Sequence, residues 1–331
     1  MKQDYRVVTG EQFWNALLEM QTIGICSHAR PDGDTIGSQL ALAELLEARG
    51  KRVICFNVDG IPERFHFLHH AHRVEQRATV PKGLDCLVLI ECADVSRAGI
   101  PIPPDLPLMN IDHHMTQSYY GVLNWVDPQA PCIGVMLLEL QEKLNLPAPR
   151  AFFEDCYVAL LSDTGGFAYN LSPRAFQSAA RLLEYGIDAR RIHRHMFGNH
   201  PFRRFQLMGL VLQTLDRSPD GLTAWIRVTP DMLRQTGASY FDMEGFVDIP
   251  LQINNVEVSV FFKEIEPGHF RISLRSNGNV DVLPIASRYN GGGHKFAAAF
   301  TWFGSWEELR TMILPAIIEY TTRALSPTPA P

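Results

Sequence analysis

Short apolar runs alternate with helix-period stretches through the first half of the chain. The runs at 23–26, 53–56, 86–90 and 108–111 are each four or five residues long and carry almost no polar side chains. That is the pattern of strands buried on both faces of a parallel sheet. After the first run, Ile36, Leu40, Ala43 and Leu46 recur at spacings of three and four, which predicts an amphipathic helix, and Gly50 marks its stop. Further helical patterns cover residues 132–144, 151–162 and 174–185. The alternation predicts an α/β domain with a doubly wound parallel sheet over residues 1–187. Residues 188–215 read as a connector carrying a helix. Longer, alternating strand patterns then begin at 223–228, 256–264 and 270–276. They predict a smaller α+β domain with a mixed or antiparallel sheet over 216–331, closed by a helix at 306–325 and a frayed SPTPAP tail.

Composition narrows the class without naming a chemistry. Hydrophobic residues make up 46% of the 331 and charged residues 20%, as in ordinary globular chains, and the length suits two domains. A net charge of -6 argues against a protein that grips long duplex nucleic acid by neutralising phosphates. Cys26, Cys55, Cys86, Cys92, Cys132 and Cys156 form no CxxC pair and lie mostly in apolar runs, so they read as reduced core residues. No signal-peptide h-region and no membrane-length apolar segment is present, and a cytoplasmic enzyme with no membrane partner is expected.

The polar residues that interrupt the first domain gather at the ends of its elements. The first run leads into His28, Asp32 and Asp34 just before the following helix. The third leads into Glu91, Asp94 and Arg97, and the fourth into Asp112, His113 and His114. The helix at 151–162 delivers Asp163, followed by Gly165 and Gly166. Each alone has a bland reading as a cap or polar turn. Together they fall where open parallel sheets bind ligands. Imidazole and carboxylate in this mixture suit a divalent ion of intermediate hardness such as Mn²⁺. His66, His69, His70 and His72 show no acid partner in a recognisable metal pattern and read as surface, and His193, His195 and His200 as solvated hinge residues.

HARPDGDTIGS at 28–38, the acidic strand end with Arg97 downstream, IDHH at 111–114 and SDTGGF at 162–167 resemble the successive motifs of the DHH phosphoesterase superfamily. Arg275-Ser276-Asn277-Gly278 and the run Asn290-Gly291-Gly292-Gly293-His294 resemble the DHH-associated substrate-binding domain. The arrangement, with no extra domain, is similar to the branch of bifunctional oligoribonucleases and pAp phosphatases (the nano-RNase A type).

The resemblance implies two divalent ions, most simply Mn²⁺: His28 and Asp32 hold one, Asp34, His113 and Asp163 the other, and Glu91 bridges them. His114 and Asp112 would orient phosphate or ligand from behind. Such a pair generates a hydroxide for in-line attack on phosphorus. Arg275, Ser276, Gly291, Gly292, Gly293, His294 and Arg97 would bind substrate, with Arg288 and Lys295 as weaker candidates. The implied partners are short single-stranded RNA or DNA oligonucleotides or nucleotides, hydrolysed to mononucleotides, with pAp as a phosphatase substrate, and a homodimer is allowed. Linear or cyclic dinucleotides such as pApA and cyclic di-AMP form the alternative, and a nucleotide-binding regulator without catalysis is the alternative of another class. Two positions depart from the family pattern. Glu91 stands where Asp is usual, with Asp94 as the fallback bridge, and Ala299 replaces a glycine, a change expected to alter the turn before the last strand.

Overall fold

A computed structural model describes residues 5–168 and 171–326, except for the side chain of His294. The chain divides into two compact units, residues 1–199 and 200–331.

In the first unit seven strands run parallel: β1 (Arg6–Val7), β2 (Thr22–Ser27), β3 (Arg52–Asn57), β4 (Glu75–Gln76), β5 (Cys86–Ile90), β6 (Leu108–Asp112) and β7 (Leu123–Val126). Their order in the sheet is β1-β7-β6-β5-β2-β3-β4. The chain therefore winds outward from β2 in one direction and from β5 in the other. These two strands are neighbours, paired from Ile23↔Cys86 to Ser27↔Ile90. The loops that leave their carboxyl ends flank the switch point, the place such sheets reserve for ligands.

The helices of this unit are α1 (Gly10–Leu18), α2 (Gly33–Glu47), α3 (Ile133–Lys143), α4 (Arg150–Asp163), α5 (Pro173–Glu184) and α6 (Ala189–His193). One core cluster joins β2, β5 and β6 to residues of all six helices. The other face of the sheet is covered by Ile100, Tyr120 and loop residues such as Val58, Val80 and Leu106.

The amphipathic helix expected after β2 is instead buried on every side, from Gly33 through Leu46. It lies between the sheet and α4, where Gly37 leaves no room: a Cβ there would sit 2.4 Å from the Asp155 carbonyl oxygen. The polar residues of α2 survive burial because they find partners, as Gln39 does in the carbonyls of Ile25 (2.7 Å) and Phe56 (3.0 Å). Gly134 plays the same part between α3 and α4, its missing Cβ falling 2.5 Å from that of Ala159.

The second unit begins with α7 (Phe202–Leu212), followed by β8 (Asp216–Arg217), β9 (Thr223–Val228), α8 (Pro230–Thr236), β10 (Val258–Glu266), β11 (His269–Ser276), α9 (Leu283–Arg288), β12 (Gly292–His294), β13 (Ala297–Phe303), α10 (Trp306–Glu308) and α11 (Leu314–Leu325). Its sheet has the order β12-β13-β11-β10-β9-β8, with β9 and β10 parallel and the other pairs antiparallel. The parallel α/β sheet and the separate mixed sheet are those the sequence pattern predicts. The stretch read as a connector is shared out: Ile192 of α6 packs into the first core, and Leu207 and Val211 of α7 into the second unit.

Several local readings change. Ala299 lies inside β13, paired with Ser273 and Gly292, so no turn is affected. His70 does have an acid partner, the buried Glu44, at 2.6 Å. His195 stacks on Phe67 at 4.5 Å and His193 packs on Phe197 at 5.0 Å, so these rings are not simply solvated. All six cysteines are buried and free.

Candidate metal centre

Three loops and one helix end bring the polar residues together. After β2 the chain passes His28 and enters α2 through Asp32, whose carboxylate caps the helix by accepting from the Thr35 backbone N–H at 3.0 Å. Asp34, one residue into the helix, is fully buried. It accepts from Ser38 Oγ at 2.7 Å and from the backbone N–H groups of Ile133 (3.0 Å) and Gly134 (3.3 Å). The first turn of α3 has no side-chain cap of its own, so Asp34 supplies one from another helix.

Glu91 follows β5 with φ of +60°, a left-handed conformation that few glutamates adopt. Its backbone N–H still pairs with Ile111 (3.0 Å), so the strand is held while the chain turns sharply. Asp163 is the last residue of α4, and Gly165, Gly166 and Phe167 after it all have positive φ, which swings the chain abruptly away.

Two groups of donor atoms result, each with its atoms within 4.8 Å of one another: His28, Asp32 and Glu91, and Asp34, Glu91, His113 and Asp163. Glu91 belongs to both, and also to a third group with His113 and His114. Asp94 belongs to none of these. It caps the turn at Val95–Ala98 by accepting from the backbone N–H and hydroxyl of Ser96 (2.9 and 2.6 Å).

The histidines are aimed from behind. His28 Nδ1 lies 2.8 Å from the Ala29 carbonyl and His113 Nδ1 3.2 Å from that of Ala130, which turns each Nε2 toward the carboxylates. His113 Nε2 is 3.0 Å from Asp163 and 3.7 Å from Asp34. Asp112 accepts at one oxygen from the backbone N–H groups of His113 (2.7 Å) and His114 (3.0 Å) and contacts His114 Nδ1 at 2.6 Å. Arg97 approaches the far side of the same ring, 3.4 Å from His114 Nε2.

The electrostatics are those of a site made for cations. Burial, and then the charges of Asp32, Asp34 and Asp163, hold the Glu91 carboxyl well above the usual carboxylate range. Burial and the charge of Asp163 push Asp34 up to about 7. Burial would lower His113, but the hydrogen bond it donates to Asp163 and the charges of Asp34 and Asp163 outweigh it and raise the imidazole to about 9. Four acids converge, and His113 is raised in answer to them. The donor set of N and O atoms, the doubly shared Glu91 and the backbone-oriented imidazoles fit two divalent cations.

Thr35 is the residue that motif reading passes over. Its buried hydroxyl lies 2.9 Å from His28 Nε2, 2.8 Å from Asp32 and 2.6 Å from Glu91, touching every member of the first donor group. Ser162 is another: its hydroxyl accepts from the Gly33 N–H at 3.0 Å and ties the end of α4 to the start of α2. Neither carries a sequence signal beyond lying inside a quoted motif.

Residues 22–160 match the family model described as the DHH family, N-terminal domain, and 226–320 match the DHHA1 domain. A Thermus thermophilus protein named bifunctional oligoribonuclease and PAP phosphatase NrnA is 34% identical over 91% of this chain and 91% of its own. The chain belongs to the DHH family. Among its DHH relatives, a Bacillus subtilis protein of the same name is 29% identical over 87% of this chain and 91% of its own length. An exopolyphosphatase-related protein from Bacteroides fragilis shares the fold, with a TM-score of 0.86 at 25% identity, covering 95% of this chain and 97% of that one.

In the second unit the glycine run serves close packing. A Cβ at Gly291 would lie 2.4 Å from the Ala299 carbonyl, and one at Gly293, where φ is +143°, would lie 2.4 Å from that of Ala297. Gly292 has open space around it. Arg275, next to last in β11, is half-exposed, with Nε 3.6 Å from Asp248. Ser276 turns inward on its own loop, its hydroxyl accepting from the N–H groups of Gly278 (3.2 Å) and Val280 (3.3 Å).

Proposed function

We propose that this DHH protein is a divalent-metal-dependent phosphoesterase that hydrolyses short oligoribonucleotides to mononucleotides and removes the 3′-phosphate of pAp. The observation that carries the reading is Glu91, a carboxylate common to two adjoining donor groups. The names of the Thermus and Bacillus relatives supply the substrate class. His28, Asp32 and Glu91 would hold one cation and Asp34, His113, Asp163 and Glu91 the other, and Mn²⁺ is the choice best matched to mixed imidazole and carboxylate ligation. Two such ions activate water and neutralise a phosphate under attack.

The chain's own groups do the rest. Asp112 fixes His114 through two contacts at one oxygen, which also accepts from the His113 backbone N–H. The other ring nitrogen of His114 then accepts from Arg97, and the guanidinium so placed is a positioned donor for a phosphoryl oxygen. In the second unit Arg275, Ser276, the glycine run Gly291, Gly292 and Gly293, and His294 would take the part of the nucleotide away from the scissile bond, Arg275 through a charge-assisted hydrogen bond. Free nucleotides and short single strands in the cytoplasm are the partners this requires.

The test is a turnover panel on purified protein with Mn²⁺: dinucleotide, pentanucleotide, long RNA, pAp and cyclic di-AMP. Cleavage of the dinucleotide, pentanucleotide and pAp, with long RNA slow, is the expected result. Preference for cyclic di-AMP would replace the substrate assignment, and no metal-dependent turnover of any phosphoester would overturn the reading altogether.

A further inference from the structure

Glu91 owes its place to an inversion in the chain. Along β5 the alternate residues Cys86, Val88 and Ile90 pack into the core under the helices, while Leu87 and Leu89 pack into the cluster on the other face of the sheet. Carried on in extended form, position 91 would join Leu87 and Leu89, and position 92 would join Ile90. The two residues are found the other way round. Cys92 lies in the cluster with Leu87 and Leu89, and the Glu91 carboxylate accepts from the Thr35 hydroxyl of α2 at 2.6 Å. The left-handed φ of +60° at Glu91 makes the exchange. A glutamate does not adopt that conformation by preference, and such a residue persists where its surroundings over-determine it.

The segment that follows His114 supplies those surroundings. The Tyr120 hydroxyl donates to the Cys92 carbonyl at 2.7 Å. Ser118 donates twice to the Ala93 carbonyl, from its backbone N–H at 3.0 Å and from its hydroxyl at 2.9 Å. With the Glu91 N–H held by Ile111, the N–H at the turn and the next two carbonyls are all bonded to other segments of the chain. Tyr120 is itself fixed, its ring buried in the cluster that holds Cys92 and its hydroxyl 2.9 Å from Asn110 Oδ1 in β6. Gln117 ties down the start of the segment, accepting from Asn110 Nδ2 at 3.3 Å and donating to the His114 carbonyl at 3.4 Å.

We infer that Tyr120 and Ser118 are positioning residues for the metal centre: by holding the carbonyls of Cys92 and Ala93 they impose the left-handed turn that swings the Glu91 carboxylate into both donor groups. They act through the backbone beyond Glu91. Because Glu91 is common to both groups, loosening this clamp weakens both sites at once, whereas loss of a ligand that belongs to one group weakens one. The inference rests on the two-ion reading of the site.

Full-length variants test it. Tyr120→Phe keeps the buried ring and removes only the donor, and Ser118→Ala removes one of the two donors to Ala93. Gln141→Leu is the control, because Gln141 donates to the Leu146 carbonyl at 2.7 Å, at the end of α3 away from its Asp34 cap. In EDTA, hydrogen exchange of a peptide over residues 90–95 should quicken at least about five-fold in Tyr120→Phe and further in the double variant. In Mn²⁺ calorimetry both sites of the double variant should weaken, by about ten-fold or more. Electron paramagnetic resonance of the loaded protein should show an exchange-coupled ion pair in the wild type and in Gln141→Leu, and separate ions in the double variant. Circular dichroism checks the fold, and if the double variant does not fold, Tyr120→Phe alone is held to the same two metal readouts. A pair signal and affinities unchanged from wild type overturn the clamp and leave the two-ion reading standing. Weakening of one site only, or loss of the pair signal in Gln141→Leu as well, also overturns the clamp. A wild type that binds no pair of ions overturns the two-ion reading and the clamp with it.

Discussion

Replacing Glu91 with Gln should make the metal-free protein more stable at alkaline pH and the metal-loaded protein useless. Glu91 is buried, and its carboxyl is held well above its ordinary range by that burial and by three neighbouring acids. The folded state therefore keeps a proton that the unfolded chain gives up. Since stability changes with pH as the difference in bound protons between unfolded and folded states, the contribution is complete below the unfolded pKa and is lost as pH rises toward the folded one. Over the pH range in which the folded state keeps that proton and the unfolded chain has lost it, one proton amounts to about 1.4 kcal/mol per pH unit. Glutamine mimics the protonated acid, can still accept from the Thr35 hydroxyl, and does not titrate. Asp34, raised to about 7, and His113, raised to about 9, also cost the wild type stability as pH climbs, and they remain in the variant. The gap between the two curves thus isolates Glu91. Hydrogen exchange on peptides from α2 and β5, in EDTA across this pH range, reads the first unit apart from the second. The variant should gain on the wild type steadily toward pH 8, and Mn²⁺ should raise the protection of the wild type far more than that of the variant. A gap that stays constant with pH would refute the argument.

Other outcomes follow from the same geometry. His113→Ala should abolish turnover and weaken one of two metal sites in calorimetry with little loss of fold. Asp34→Ala should do the same and also cost about 1–3 kcal/mol in denaturant titrations, because it strips the acceptor from the start of α3. Thr35→Val should lower metal affinity where Thr35→Ser restores it, and equal affinity in all three proteins would remove Thr35 from the site. Arg275→Ala should cost about 1.5–3 kcal/mol in kcat/KM on a dinucleotide and less on a small artificial diester. Glu91→Asp should keep measurable activity and Asp94→Asn should be mild, whereas an inactive Asp94→Asn beside a working Glu91→Gln would move the bridge to Asp94.

The elements legible in the sequence were those whose burial is one-sided in neither sense. β2, β5 and β6 are covered on both faces, so apart from their ends and Asn110 inside β6 their residues are apolar. α2 is also enclosed on every side, yet it keeps Ser38, Gln39 and Glu44 among its apolar residues, a mixture that reads as amphipathic because their partners are not visible in the sequence. β1, β4 and β8 are two-residue strands with no periodicity to find. β12 and β13 hide behind glycine and alanine, residues chosen for the approach of backbones rather than for β-propensity. The donor residues stood out because acids and histidines at strand ends are chemically conspicuous. Thr35, Ser38 and Ser162 did not, because hydroxyls occur everywhere and their meaning lies in what they touch. The pairing of His70 with Glu44 joins a loop to a helix across 26 residues, which no local pattern reports.

Gly37 and Gly134 hold α2, α3 and α4 in backbone-close contact, and the ends of these helices carry Asp34 and Asp163. The spacing of the helix backbones that carry those two carboxylates is therefore set by the thickness of peptide chains. Gly37→Ala would push α2 from α4 and cost about 1–3 kcal/mol by overpacking. Its earlier symptom would be a changed preference among cations of different radius. The glycines thereby act as the gauge blocks of the frame on which Asp34 and Asp163 stand.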